Sequence, residues 1–422
     1  MAIGGVYRRF FSLCLVLYLV ALLSSMAAME AFGWLTVLTY LTGNLLDLAP
    51  KPMTYRLPPL QWLAALFVVA MISALANRLS SDDTLKIVVS LRWMAFFYLL
   101  YLALQSVPNA IFVRWLPRFL WGATAVALFA IVQHFTGIDV IRGHSHHPYG
   151  AYWRVTGLFG FPLTYAYSFS MIAAVAFALA LKHREQRAKL AILTLQFCLI
   201  AASIVMSYTR GAWISLTLGC AVIAALVGGP VLKRFALSGM ALAVALLTLS
   251  DSIRRRFLSL FDLNFYSNSE RFEIWRANLQ IFFDHPFFGI GYGRNDFLAN
   301  DYFQSLGFGR NFLGHAHSNY LQMLAGLGFF GLVFYLLFII SLLMISLRLY
   351  KRIPSDHTMT KGFALGAIGA QVSLHIGGLT ECNFKDMEVN HLFLFMMVMV
   401  MVLANRYQVP LALRPRPRRK TT

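Results

Sequence analysis

Two histidines one residue apart, His315 and His317, and four arginines, Arg154, Arg210, Arg271 and Arg294, are the side chains of this sequence best suited to a reaction. Imidazole accepts a proton near neutral pH, so either histidine is a candidate base. Guanidinium stays charged and grips phosphate oxygens in pairs, so a set of arginines suits a phosphorylated leaving group. The residues lie in four stretches: RVTGLFGFP around Arg154, SYTRGAW around Arg210, SNSERFEIWRANLQIFFDHPFFGIGYGRNDF with Arg271, Arg276 and Arg294, and GHAHSNYLQMLAGLGFFG with His315, His317 and Asn319. No metal or other cofactor is expected. On a helix, His315 and His317 would face different directions, and no cysteine or paired carboxylate nearby completes a tetrahedral set. His144, His146 and His147 are closer together still, but they fall in a polar loop and read as surface residues.

Composition says what must position these groups. Of 422 residues, 59% are hydrophobic and 13% charged, about half the charge of a soluble domain. This predicts an all-α polytopic membrane protein. Apolar windows long enough to cross a bilayer fall near 10–30, 32–48, 58–77, 87–106, 119–137, 157–181, 190–206, 211–230, 235–250, 318–347, 362–380 and 390–405, about twelve spans. The second, interrupted by Gly43 and Asn44, is the weakest. The first is too long for a signal-peptide core and reads as an uncleaved span. The four cysteines form no CxxC pair, so neither a disulfide framework nor a thiolate metal site is expected.

The net charge of +19 invites a nucleic-acid partner. The cations lie between apolar runs rather than on one soluble face, which excludes that reading and points to membrane lipids. With both termini cytoplasmic, 22 of the 36 Lys and Arg fall in cytoplasmic segments, the excess that the positive-inside rule requires. Acids and bases then balance on the outer side, so the excess reports orientation.

The chain divides into nine spans over 1–250, an outward loop over 251–317, three spans over 318–405 and a basic cytoplasmic tail over 406–422. In the loop, Phe272, Trp275, Leu279 and Phe282 recur at helical spacing, with Arg271, Arg276, Gln280 and Asp284 on the other side. A short amphipathic helix is predicted there, lying at the outer membrane surface, started by a capping box of Ser267 and Glu270 and closed by Pro286. The GIGYG run at Gly289–Gly293 has no strand–helix unit around it and reads as a turn aiming Arg294, not a dinucleotide cradle. Gly326, Gly328 and Gly331 read as sites of close helix packing.

The order S/T-R-G, then R-x-x-x-W with H-P-x-x-G-x-G, then H-x-H with Y-L-Q and G-x-x-G, resembles the O-antigen ligase and polymerase family of bacterial envelope glycosyltransferases, from about Arg154 to Leu332. The resemblance implies a helical inner-membrane bundle with a periplasmic site that moves a glycan from undecaprenyl pyrophosphate to an acceptor. That acceptor is the lipid A core for a ligase and another lipid-linked glycan for a polymerase. It implies that His317 is the essential histidine and that Arg210 and Arg271 are the family's arginines. Two positions depart from the family pattern: Ser318 precedes Asn319 where the family has Asn directly after the second histidine, and Gly326 stands where Glu is common. The Gly326 departure removes a carboxylate that would otherwise partner the histidine.

The chemistry is independent of the resemblance. Pyrophosphate is a good leaving group, so a metal-free, inverting displacement needs a base, His317, and charge neutralisation by Arg210 with Arg271, Arg154 and Arg294. His315, Asn319 and Arg276 are supporting residues. A polymerase is the nearest alternative. A protein O-oligosaccharyltransferase is disfavoured by the ending LRPRPRRKTT, and a transporter of lipid-linked glycan by the absence of a sequence repeat and the clustering of candidates at one membrane face.

Overall fold

The computed structural model describes residues 2–49, 58–308 and 311–409. The tail from residue 410 lies outside them. Six helices come first: α1 (Ala2–Ala21), α2 (Met26–Leu45), α3 (Pro58–Ala76), α4 (Ser81–Ser90), α5 (Arg92–Leu104) and α6 (Asn109–Thr136). Two small antiparallel ribbons follow, β1 (Ile138–Asp139) with β2 (Gly143–His144) and β3 (Pro148–Tyr149) with β4 (Tyr152–Trp153). Then come α7 (Pro162–Lys182), α8 (Arg187–Met206), α9 (Arg210–Val227) and α10 (Gly229–Leu249). The long loop holds α11 (Asp251–Leu258), α12 (Tyr266–Asp284) and α13 (Asn295–Ser305). The chain finishes with α14 (Asn319–Arg352), α15 (Thr358–Gly377) and α16 (Met387–Arg406).

Among the described residues, ten segments are long and apolar enough to cross a membrane, α4 and α5 together forming one of them. The twelve read from the sequence include α2 and α15, which are of spanning length but less apolar. For α15 the cause is its position. It runs through the middle of the bundle, where Gly362 meets Leu179, Gly366 meets Val175, and Gly369 faces the backbone of Gly219. Small and polar residues suit a helix wrapped by other helices better than one facing lipid. At the other extreme, α10 has no buried residue.

The span expected at 318–347 is not one helix. Gly328 has φ 67° and ψ −165°, and the chain breaks there. On an unbroken helix Tyr320 and Tyr335 would stand about 22 Å apart along the axis, yet their ring centroids are 6.2 Å apart. The first piece, 319–327, therefore folds back over the second. Backbone groups freed by the break must find partners. The GIG loop supplies them: Ile290 N donates to Ala325 O (3.2 Å), Gly291 N to Gly326 O (2.9 Å) and Phe329 N to Pro286 O (2.8 Å). Side chains have no room in this junction. A Cβ on Gly328 would lie 2.4 Å from Phe287 O, and one on Gly289 would lie 2.4 Å from the Gly326 carbonyl carbon. The glycines read as a turn for Arg294 and as helix-packing sites thus seat a loop on a broken helix.

The loop helix α12 covers the predicted segment but starts earlier and buries another face. Ile274, Ala277, Asn278 and Ile281 are buried, while Phe272 and Leu279 are exposed. Period alone does not say which apolar stripe meets protein and which is left outside. The expected capping box is absent: the N-cap is Phe265, without a side-chain bond, and Ser267 is engaged by Arg210.

Candidate active site

His315, Ala316 and His317 form an extended approach to α14, whose N-cap Ser318 accepts from Leu321 N. Three contacts hold the approach. Gln322 Oε1 accepts Ala316 N (2.8 Å), Trp275 Nε1 of α12 donates to His317 O (3.4 Å), and His317 N donates to His315 Nδ1 (3.3 Å). His317 sits at φ 45°, a left-handed conformation that is uncommon for a residue with a Cβ. Such strain persists only where surrounding contacts enforce it.

The residue that sequence reasoning missed is Glu381, in the loop between α15 and α16. Its carboxylate is 5% exposed. Oε1 accepts from His317 Nδ1 at 2.9 Å and lies 3.7 Å from His315 Nε2, while Oε2 accepts from Arg271 at 3.2 Å. Burial pushes the Glu381 carboxyl up, but the His317 hydrogen bond, the two imidazoles and Arg271 outweigh it and hold the group at about 2. It is therefore an anion at neutral pH. An ionised carboxylate only accepts, so His317 carries its proton on Nδ1 and keeps the Nε2 lone pair free. His315 accepts at Nδ1, so its own proton is on Nε2, toward the same carboxylate. Burial lowers the pKa of His315 and favours its neutral form.

Asn319 supports this arrangement from below. Its Nδ2 donates to Asn383 Oδ1 (2.7 Å), its Oδ1 accepts Phe384 N (3.0 Å), and its backbone N donates to Gly378 O (2.8 Å). The start of α14 is thereby stapled to the loop that carries Glu381. No sequence motif marks that partnership, since 64 positions separate His317 from Glu381.

Arginines gather beside the histidines. Arg210, the first residue of α9, is 5% exposed. Its guanidinium donates to Ser259 O (2.6 Å), Ser259 Oγ, Ser267 Oγ and Asn268 Oδ1 (each 2.8 Å) and so ties α9 to the turn between α11 and α12. Arg154 donates through Nε to Ser207 O (2.9 Å), and Arg256 through Nε to Tyr208 O (2.9 Å). Arg256 thus joins Arg154, Arg210 and Arg271. Burial first, then the Arg256 charge, lowers Arg154 to about 10; burial also lowers Arg256, and Arg271 adds to the effect. All remain cationic at neutral pH. Among the described residues, the hydrogen-bond partners of Arg154, Arg210 and Arg256 are neutral oxygens. Arg271 links this group to the Glu381 carboxylate.

Two expected site residues lie elsewhere. Arg294 lies beside Gly291, which also faces Leu79 before α4, and donates to Ile290 O. Arg276 lies over the Phe308 ring at 5.5 Å.

His315, His317 and Glu381 also offer three ligand atoms within 4.8 Å of one another. This corrects the expectation that no carboxylate completes a set and that the histidines face apart: both precede the helix, and their rings are 4.3 Å apart. Two histidines and a glutamate are a zinc-binding composition. Here, however, the nitrogens facing Glu381 carry protons, and Arg271 places a positive charge on the same carboxylate. A divalent cation would have to displace both. The arrangement fits a hydrogen-bonded base better.

Residues 195–336 match the family described as O-antigen ligase. The match runs from α8 into α14 and contains Arg210, Arg256, Arg271, His315 and His317; Arg154 and Glu381 fall outside it. No curated protein matches the chain. The family match supports assigning this multi-pass membrane protein to the O-antigen ligase family.

Proposed function

From that match we propose that the chain is an O-antigen ligase of the bacterial inner membrane. It transfers a glycan from undecaprenyl pyrophosphate to a sugar hydroxyl of the lipid A core on the periplasmic side. The observation that carries this is the meeting of a His317–Glu381 pair with four guanidiniums, joined through Arg271. In the reaction, His317 Nε2 takes the proton of the acceptor hydroxyl as its oxygen attacks the anomeric carbon from the face opposite the diphosphate. The bond from that carbon to the diphosphate oxygen breaks, and the electron pair leaves with the diphosphate. Charge developing there is met by Arg154, Arg210, Arg256 and Arg271. Glu381 fixes the His317 tautomer and stabilises the imidazolium that forms, as carboxylates behind catalytic histidines do. Arg294, set beside Gly291, has no part in this reading. No step needs a metal.

Purified protein supplied with undecaprenyl-pyrophosphate glycan and lipid A core yields glycan-capped core, and His317→Ala abolishes the product without unfolding the protein. Longer glycan formed from the donor alone would instead identify a polymerase. Movement of donor lipid across a bilayer without new bonds would identify a transporter.

A further inference from the structure

In the loop between α6 and α7 only Arg154 has a part in the chemistry above; the histidines and tyrosines before it have none. Within it, Tyr149 and Tyr152 face each other across the β3–β4 ribbon. Cross-strand partners place their side chains on one face of a ribbon, with Cβ atoms about 5 Å apart. Tyr149 stacks on Tyr208 (ring centroids 4.1 Å, 29° between planes), and the Arg256 guanidinium lies 5.9 Å from the Tyr149 ring. Tyr152 stacks on His134 (4.8 Å, 19°) and remains 39% exposed at the end of this ladder. The ribbon is anchored at the cationic pocket itself: Arg154 follows β4, and its backbone N donates to His147 O at 2.8 Å. Tyr208, the middle rung, is held at φ 53° two residues before Arg210.

A pyranose presents an apolar C–H face and a rim of hydroxyls. A tyrosine offers an apolar ring and a polar tip to match. Resting on the diphosphate reading above, we propose that this hairpin is the donor's sugar subsite. Tyr152 receives the ring face of the pyranose joined directly to the diphosphate, and Tyr149 directs its hydroxyl to that sugar from beside the arginines.

The test uses the full-length protein in lipid nanodiscs with two ligands, undecaprenyl pyrophosphate and the same lipid carrying one hexose. Wild type binds the sugar-bearing lipid tighter, by roughly three- to tenfold, the range of one aromatic stacking contact. Tyr152→Ala removes most of that preference and leaves sugar-free binding within about twofold, Tyr152→Phe retains the preference, and Tyr149→Phe weakens the sugar-bearing lipid alone. Thermal unfolding checks that each variant is folded. A preference that survives in the Tyr149→Phe/Tyr152→Ala double variant overturns the subsite, as does equal weakening of both ligands. Equal binding of the two lipids by wild type defeats the subsite and leaves the diphosphate pocket standing, whereas binding of neither defeats the pocket and the subsite with it.

Discussion

Glu381 holds two imidazoles and a guanidinium with one carboxylate, and each contact makes a separate demand on a substitution. Glu381→Gln keeps the shape but offers His317 a neutral partner that no longer selects the Nδ1–H tautomer. Turnover is expected to fall by about 10²-fold, at the lower end of what a general base contributes, with the donor Kd changed far less. A steady-state kcat measurement beside a binding assay checks this. The same residue has an acid signature. Its folded-state carboxyl is held below its ordinary value of 4.5, at about 2, so its contribution to stability is whole above about pH 4.5 and disappears as pH falls toward 2. In thermal unfolding, wild type and Glu381→Gln differ most near neutrality, and their melting points converge on acidification through that window. Arg210 is demanding in another way. Its two terminal nitrogens serve three residues at once, which a lysine ammonium at the end of a flexible stem does not reproduce. Arg210→Lys is therefore expected to lose activity almost as fully as Arg210→Ala, measured by the same transfer assay.

At the level of elements, the reactive loop depends on a helix that is interrupted. The piece of α14 before Gly328 folds back, bringing Ser318 and Asn319 onto the α15–α16 loop, and the GIG segment fills the gap. Gly328→Ala places a Cβ against Phe287 O in a left-handed backbone that costs about 1–2 kcal/mol for a residue with a side chain. A melting point lower by several degrees and a matching loss of transfer are expected. Gly239→Ala on exposed α10, where a Cβ meets nothing within 4 Å, leaves both unchanged. Most helices were legible because a hydrophobic span leaves a long, regular trace. The break at Gly328 was not, since glycine runs also serve helix packing, and only the docking of residues 286–291 decides between the two uses. The arginines of the SYTRGAW and ERFEIWR stretches were legible by residue type. Glu381 was not, because a lone carboxylate in the GLTECNFKD loop acquires its meaning only when the end of α15 is brought against the start of α14. Arg256 was hidden among Arg254 and Arg255; only its bond to Tyr208 O separates it from them. Arg294 is close to the site motifs in sequence, while the structure sets it beside Gly291 with a bond to Ile290 O.

For the whole molecule, among the described residues the ten spanning segments together with α2 and α15 alternate so that the connections after α6, α8, α10 and α15 leave from one end of the bundle, the end that holds the groups of the candidate site. If both termini are cytoplasmic, as the positive-inside excess predicts, that end is periplasmic. A periplasm-active reporter fused after residue 300 is expected to be active, and one fused after Lys351 silent; the reverse pattern overturns the orientation. Chelator added to the transfer assay is expected to leave the rate unchanged, and restoration of a chelated enzyme by zinc would revive the His315–His317–Glu381 trio as a metal site. The cationic pocket also bears on how the catalytic cycle ends. In the proposed reaction, severing the glycan leaves the lipid diphosphate with one more negative charge than the donor had, and among the described residues Arg154, Arg210 and Arg256 hydrogen-bond to neutral partners. That charge is expected to replace much of the hold lost with the sugar, so that the spent carrier leaves slowly although the donor binds tighter. Slow departure is then expected to set the pace of repeated turnover, read as a burst in the first round of product.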